Sequence, residues 1–388
     1  MNAENSPSLT DKVFLSLNLA VLFVFSNVAF FYLYPVVLES MGAGNRVIGW
    51  VMGLFSMAAV LSRPLMGYLT AGWGEFPLMS RGIAVMLAAT GCYPFIRDVG
   101  ISLFSVRVIH GLGFSAFVAA SFSAVAVLFP ERSRGRAYGI VGAALMAAAA
   151  LAPPAGEFLL ERLGPMGLYC AAFGSILCAA ICLRGASTGI PDAARDASLR
   201  GEGDHAFVKD LSFLFLLAST LIFAHCQSTV FNFIALTADH KGASAGIFFF
   251  TAFCLAIVIL LTVGRWIDRI GKALFIRLFY PVFTLGLLLI PPLLDTGGGW
   301  VPALFFGAGM GFLFPAHNAL ASGYGGGEQK PAVMSIFTAV YDSGFITGAV
   351  FSGWVAGWTG LDKMFYFTGC IAVAGFLTIL WFPMGKRQ

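Results

Sequence analysis

The chain has 388 residues, 59% of them hydrophobic and 11% charged, with a formal net charge of +4. A soluble domain of that composition would show water a very large apolar surface, so the sequence is read as an integral membrane protein. Its basic residues lie mostly at the ends of apolar runs, where they carry orientation, which argues against a nucleic-acid partner.

Met1 to Asp11 is polar, with no basic stretch before the first apolar run and no small-residue cleavage site, so the first span is expected to be retained. Apolar runs long enough to cross a bilayer follow near 14–36, 47–70, 78–96, 101–129, 137–160 and 165–183. A polar stretch over 185–210 has no period of its own and reads as a linker. Further runs near 211–237, 244–263, 273–294, 300–322, 332–356 and 364–384 bring the total to twelve in two sets of six. Lys12, Arg134, Arg136, Arg184, Arg265, Arg269 and Lys272 fall on one side, against Arg46, Arg97, Arg162, Lys241 and Lys363 on the other. The positive-inside rule therefore predicts both termini in the cytoplasm.

Ionisable groups within a span cost about 2.5–3.5 kcal/mol on insertion scales, so each is a functional candidate. Arg63, Arg107, His110, Glu157, His225, His317 and Asp342 qualify, with Glu157 near the outer end of its span. Arg81 and Arg277 sit in the first turns of their spans and read as interface anchors. In the seventh run His225, Ser228, Thr229 and Asn232 fall at i, i+3, i+4 and i+7, one polar stripe expected to meet water or a ligand. Arg107, His110, Gly111 and Phe114 share a face of the fourth run, and Asn27, Phe30, Phe31 and Tyr34 share one of the first.

The histidines suit proton carriage, since an unperturbed imidazole titrates near about 6.5; the plain alternative is a buried ring bonded to a backbone carbonyl. Asp342, mid-span, would gain a proton readily when desolvated, or would pair with Arg63 or Arg107. Arg63 could instead extend its head to the interface. The pairs Gly307/Gly311 and Gly344/Gly348 permit tight helix crossings. The seven cysteines lie in apolar runs without metal-ligand spacing, and no G-x-x-x-x-G-K-[ST] loop occurs. No metal or cofactor is expected, and the energy source is expected to be an ion gradient.

The turn Gly264-Arg265-Trp-Ile-Asp268-Arg269-Ile-Gly271-Lys272 joins two spans and resembles the loop signature of the major facilitator superfamily. Its first-half counterpart, Gly67 to Glu75, keeps the glycines but has Ala71 where the acid belongs. Arg107 to Gly113 is similar to the family's R-x-x-x-G-x-G pattern. Ala148, Ala152, Pro153, Pro154 and Gly156 resemble the pattern of proton-driven exporters, with alanine at both leading glycines. Ser62 to Gly67 resembles bacterial efflux-type members.

The resemblance implies an all-α membrane protein of twelve transmembrane helices in two six-helix bundles, 1–184 and 211–388, related by a pseudo-two-fold axis. It places a conformational latch on Asp268 and its loop. It gathers Asn27, Tyr34, Arg63, His110, Ser228, Thr229, Asn232, His317 and Asn318 as substrate-cavity residues. Asp342, Arg107 and His225 are the candidates for proton coupling. The expected activity is proton-coupled export of a small organic solute by alternating access, in a monomer in lipid of a bacterial inner membrane, and not enzymatic. The alternatives are proton-coupled import of an organic anion and a polytopic enzyme or sensor without flux.

Overall fold

A computed structural model of the chain describes residues 11–186, 210–295, 297–324 and 329–381, with the side chains at 131–132, 186, 263–268 and 331 outside the description. The described residues form helices and no strand. In the first half these are α1 (Lys12–Phe30), α2 (Tyr34–Ser40), α3 (Asn45–Leu61), α4 (Arg63–Trp73), α5 (Glu75–Cys92), α6 (Ile101–Leu128), α7 (Glu131–Leu163) and α8 (Pro165–Ala186). In the second they are α9 (Leu211–His240), α10 (Ala245–Ile270), α11 (Lys272–Leu293), α12 (Trp300–Ala321), α13 (Lys330–Thr359) and α14 (Leu361–Leu380).

Two of the expected spans are interrupted, each beside a proline. A short 3-10 turn, Phe31–Leu33, separates α1 from α2, which begins with Pro35 in its first turn. The second span bends by 47° between α3 and α4, where Pro64 follows Arg63. Proline removes a donor from the ladder and crowds the preceding turn, so a bend at these points follows from local chemistry. Among the described residues, ten spans are long and apolar enough to cross a bilayer, eleven with the bent pair. α5 makes the twelfth, its hydropathy drawn down by Glu75 and Arg81.

Helix ends are closed by local chemistry. Asp11 accepts from the Val13 amide and Asp210 from the Ser212 amide, both at 2.9 Å, which starts α1 and α9. Arg134 donates to the Ala126 carbonyl at 2.9 Å and the Phe129 carbonyl at 3.3 Å at the end of α6. Arg277 does the same for Ile379 and Leu380 at the end of α14, at 3.0 and 2.9 Å. The expected anchor role of Arg277 thus takes a definite form, satisfying carbonyls that a helix terminus leaves orphaned. Arg81 stacks over the Trp73 ring at 4.1 Å.

The chain divides into two compact units, Met1–Ala43 with Leu54–Ala197, and Gly44–Gly53 with Ser198–Gln388. Within the first, α1 packs on α7 and α8, and α6 lies against α4 and α5. Within the second, α9 packs on α13 and α14, and α12 lies against α10 and α11. The two patterns match helix for helix, as an internal repeat requires. The turns repeat as well: Gly42, Gly74 and Gly164 have positive φ in the first half, and Gly242, Gly271 and Gly360 in the second. Gly74 (φ 85°) and Gly271 (φ 91°) each reverse the chain directly before a helix, a conformation that a side chain resists.

Lipid is as apolar as leucine, so close packing holds such helices together more than water exclusion does. A Cβ on Gly82 would lie 2.7 Å from the Gly113 carbonyl, where α5 and α6 nearly touch. Gly307 lies against the Ala252 backbone and Gly311 against Ile259, so this glycine pair seats α12 on α10. Gly344 and Gly348 seat α13 against Leu221, His225 and Ser228 of α9. Of the expected latch, Arg269 is exposed and Gly271 and Lys272 are half-buried; the side chains of Gly264, Arg265 and Asp268 lie outside the description. So does the stretch 187–209 of the expected linker, whose first two residues, Gly185 and Ala186, belong to α8 and whose last, Asp210, caps α9.

Candidate functional site

Two polar clusters are built into the apolar helices, one in each unit. In the first, Asn27 in the last turn of α1 reaches three other helices. Its amide nitrogen donates to the Ala172 carbonyl on α8 at 2.9 Å and to Thr90 Oγ1 on α5 at 3.3 Å. A carbonyl can only accept, so the amide orientation is settled and Asn27 Oδ1 faces His110 Nε2 at 2.8 Å as an acceptor. His110 therefore carries its proton on Nε2. Its Nδ1, 3.3 Å from the Tyr93 hydroxyl, accepts from that phenol in the neutral ring.

Arg107, one turn before His110 on α6, is 2% exposed. Its guanidinium carbon lies 5.2 Å from the centre of the Phe31 ring, 5.6 Å from Tyr34 and 5.1 Å from Phe55. Three aromatic faces thus surround one cation, an arrangement that offsets part of the cost of taking it out of water. Tyr34, Tyr93 and Tyr169 complete the group with ring centres 5.4 to 6.3 Å apart. The faces predicted for the first and fourth spans therefore meet. The close approach depends on Gly111, which lies against the Phe55 backbone.

In the second unit the predicted stripe on α9 is bonded to a neighbouring helix. Ser228 Oγ donates to the Phe345 carbonyl at 2.7 Å, and Thr229 and Ser352 share a hydrogen bond of 2.6 Å. Asn232 turns back on its own helix, donating to the Ser228 carbonyl at 2.7 Å and hydroxyl at 3.0 Å. His225 Nδ1 lies 3.2 Å from Thr347 Oγ1. The stripe is thus a polar seam along the α9 and α13 crossing, a usual role for hydroxyls between membrane helices.

His317 occupies the plain position foreseen for a buried imidazole. Its Nδ1 donates to the Leu313 carbonyl at 2.8 Å, and Ser219 Oγ lies 3.0 Å from Nε2. The Phe223 ring stacks on it, 5.5 Å away and 2° from parallel. Asn318 beside it is half-buried. Asp342 is half-buried on α13, and Arg63 is half-buried at the start of α4. Ala152, Pro153 and Gly156 are buried in α7, with Gly156 against Leu33 and Phe30.

Histidine thus meets three different fates. Both nitrogens of His110 and of His317 are engaged. His225 Nε2 is buried without a hydrogen-bond partner among the described residues, as is the Gln227 side-chain nitrogen two residues on. Gln227 Oε1 accepts from Tyr341 at 2.7 Å. A buried unpaired polar atom costs about 1–3 kcal/mol, which makes such atoms the first place to look for function. No group of three or more metal-binding side chains occurs among the described residues.

Several residues that complete these clusters were not singled out from sequence. Thr90 and Tyr93 stand three apart at the end of the third span, and Gln227 is an amide off the spacing of the stripe from His225 to Asn232. Thr347 and Ser219 carry no such mark, because single hydroxyls are common in apolar helices.

A family model of the Major Facilitator Superfamily matches residues 15–324. This chain belongs to the major facilitator superfamily. As a member of the superfamily it is a multi-pass membrane transporter and not an enzyme. It is 22% identical over 368 residues to the multi-drug resistance efflux pump PmrA of Streptococcus pneumoniae, covering 90% of each chain. Among solved structures, a mutant of the nucleoside transporter NupG superposes with a TM-score of 0.78 at 15% identity, covering 95% of this chain and 99% of that one. The human organic anion transporter MFSD10 does so with a TM-score of 0.66 at 17% identity, with the same coverage. These likenesses establish the superfamily fold of twelve transmembrane helices.

Proposed function

We propose that this transporter expels a small organic solute in exchange for protons, working as a monomer in a bacterial inner membrane with both termini in the cytoplasm. The observation that carries the reading is His225 Nε2, a buried nitrogen with no hydrogen-bond partner among the described residues, on a stripe whose Ser228, Thr229 and Asn232 side chains are all bonded. A transporter coupled to protons needs a group that takes up and releases one within the membrane at physiological pH, and imidazole is suited to it. Asp342, on the helix that holds His225, is the second proton site. Arg107 supplies the fixed charge of the first unit. Pro153 and Gly156 on α7, in the segment similar to proton-driven exporters, and the 90% coverage of an efflux pump support the outward direction.

Import of an organic anion is the second reading. It is favoured by the cationic centre at Arg107 and by the nucleoside and organic anion transporters among the similar structures. Small carboxylates, amphiphilic cations, sugars and metallophore-like compounds would first be screened by thermal stabilisation of the purified protein. The stabilising compound is then offered to proteoliposomes whose lumen is acidic. Accumulation that collapses with the pH gradient and is lost in His225→Gln is the expected result. Accumulation only when the outside is acidic would establish import, and unchanged coupled flux in both His225→Gln and Asp342→Asn would overturn the proton sites.

A further inference from the structure

His225 is held by one hydroxyl, and the bonding of that hydroxyl determines which imidazole nitrogen is left over. Thr347 Oγ1 lies 3.1 Å from the Gly344 carbonyl one turn earlier on α13 and 3.2 Å from His225 Nδ1. A carbonyl oxygen has no hydrogen to give, so in the contact with Gly344 the Thr347 hydroxyl is the donor. What Thr347 then presents to the imidazole is a lone pair, and His225 must donate from Nδ1. The remaining nitrogen, Nε2, carries a lone pair with no hydrogen-bond partner among the described residues.

We infer that Thr347 is a positioning residue, which holds His225 as its Nδ1–H tautomer and so keeps Nε2 as the proton-accepting nitrogen. The relay runs from His225 Nδ1–H to Thr347 Oγ1 and from Thr347 Oγ1–H to the Gly344 carbonyl. The backbone of α13 thereby fixes the state of a side chain on α9. Gly344 and Gly348 bring the two helices close enough for this, since a Cβ at Gly344 would lie 2.9 Å from the His225 amide nitrogen. Phe351 closes the other side of the ring, with centres 5.8 Å apart. Besides His225, the titratable side chains on these two helices are Cys226, Asp239 and His240 on α9 and Lys330, Tyr341 and Asp342 on α13.

The inference deepens the reading of His225 as a proton carrier, yet its test requires no transport. The full chain, labelled with nitrogen-15 at histidine, is studied by NMR in nanodiscs at neutral pH, and the His225 signals are identified by their loss in His225→Gln. The wild type is expected to show a protonated Nδ1 and a bare Nε2. Thr347→Val and Thr347→Ala remove the relay from an exposed position on α13, so the helix loses no buried volume. Either one is expected to move the main population to the Nε2–H form, and Thr347→Ser, which keeps the hydroxyl, to restore the wild-type signals. A wild-type His225 protonated on Nε2, or an unchanged tautomer without the hydroxyl, would overturn the inference. Loss of the flux phenotype of His225→Gln with the tautomer result intact would instead remove the proton-carrier reading alone.

Discussion

Asn27 Oδ1 and His110 Nε2, 83 residues apart in sequence, lie 2.8 Å apart and tie α1 to α6. The same amide also holds α5 and α8. Asn27→Leu leaves the imidazole N–H unpaired, at about 1–3 kcal/mol, while the Ala172 carbonyl keeps the Ser175 hydroxyl at 2.7 Å. A marked fall in the apparent melting temperature of the detergent-solubilised protein is expected. His110→Leu is expected to cost a similar amount, and the double variant less than the sum of the two, because the pair shares one bond. A thermal-denaturation double-mutant cycle measures this.

Arg107 is enclosed by rings as a flat cation, and lysine cannot reproduce that. An ammonium is a compact, strongly hydrated charge that does not stack. Arg107→Lys is expected to fold but to lower the transport rate by about tenfold or more, corresponding to roughly 1.4 kcal/mol or more. Initial rates in proteoliposomes at equal protein content read it directly.

Gly307 meets the backbone of Ala252 at the α10 and α12 crossing, whereas a Cβ on Gly174 in α8 would meet nothing within 4 Å. Gly307→Ala must push two helices apart, with an expected loss of about 1–3 kcal/mol. Gly174→Ala should be neutral or gain up to about 1 kcal/mol through helix propensity. Thermal stability of the two purified variants, side by side, separates a packing glycine from a passive one.

Lys241 follows α9 and sits 3.1 Å from Asp362 and 3.8 Å from Asp295, and it donates to the Pro291 carbonyl at 3.0 Å. Both aspartates are about half exposed, so the pairs are worth little each, up to about 1 kcal/mol. Lys241→Met is expected to lower stability by that order at low salt and to show a smaller deficit in 1 M salt, where the Debye length is about 3 Å. Melting curves at two salt concentrations test it.

Composition and the spacing of apolar runs were enough to determine that the chain spans a membrane many times, in two sets of six, because a run of about 20 apolar residues admits few other fates. Helical periodicity grouped Arg107 with His110, since residues three and four apart share a face in any helix, whereas Asn27 and Tyr34 lie on α1 and α2 with a 3-10 turn between them. Which helix each face meets is a different matter. The stripe from His225 to Asn232 looked like the wall of a wet space, and the tertiary structure bonds it to α13 through Thr347, Phe345 and Ser352, partners more than a hundred residues away. Likewise sequence set His225 apart as a proton-coupling candidate from His110 and His317 as cavity residues, but not by which ring nitrogen each has engaged. They differ because a ring nitrogen is free or engaged according to the carbonyls and hydroxyls that other helices bring to it, and no local pattern records that.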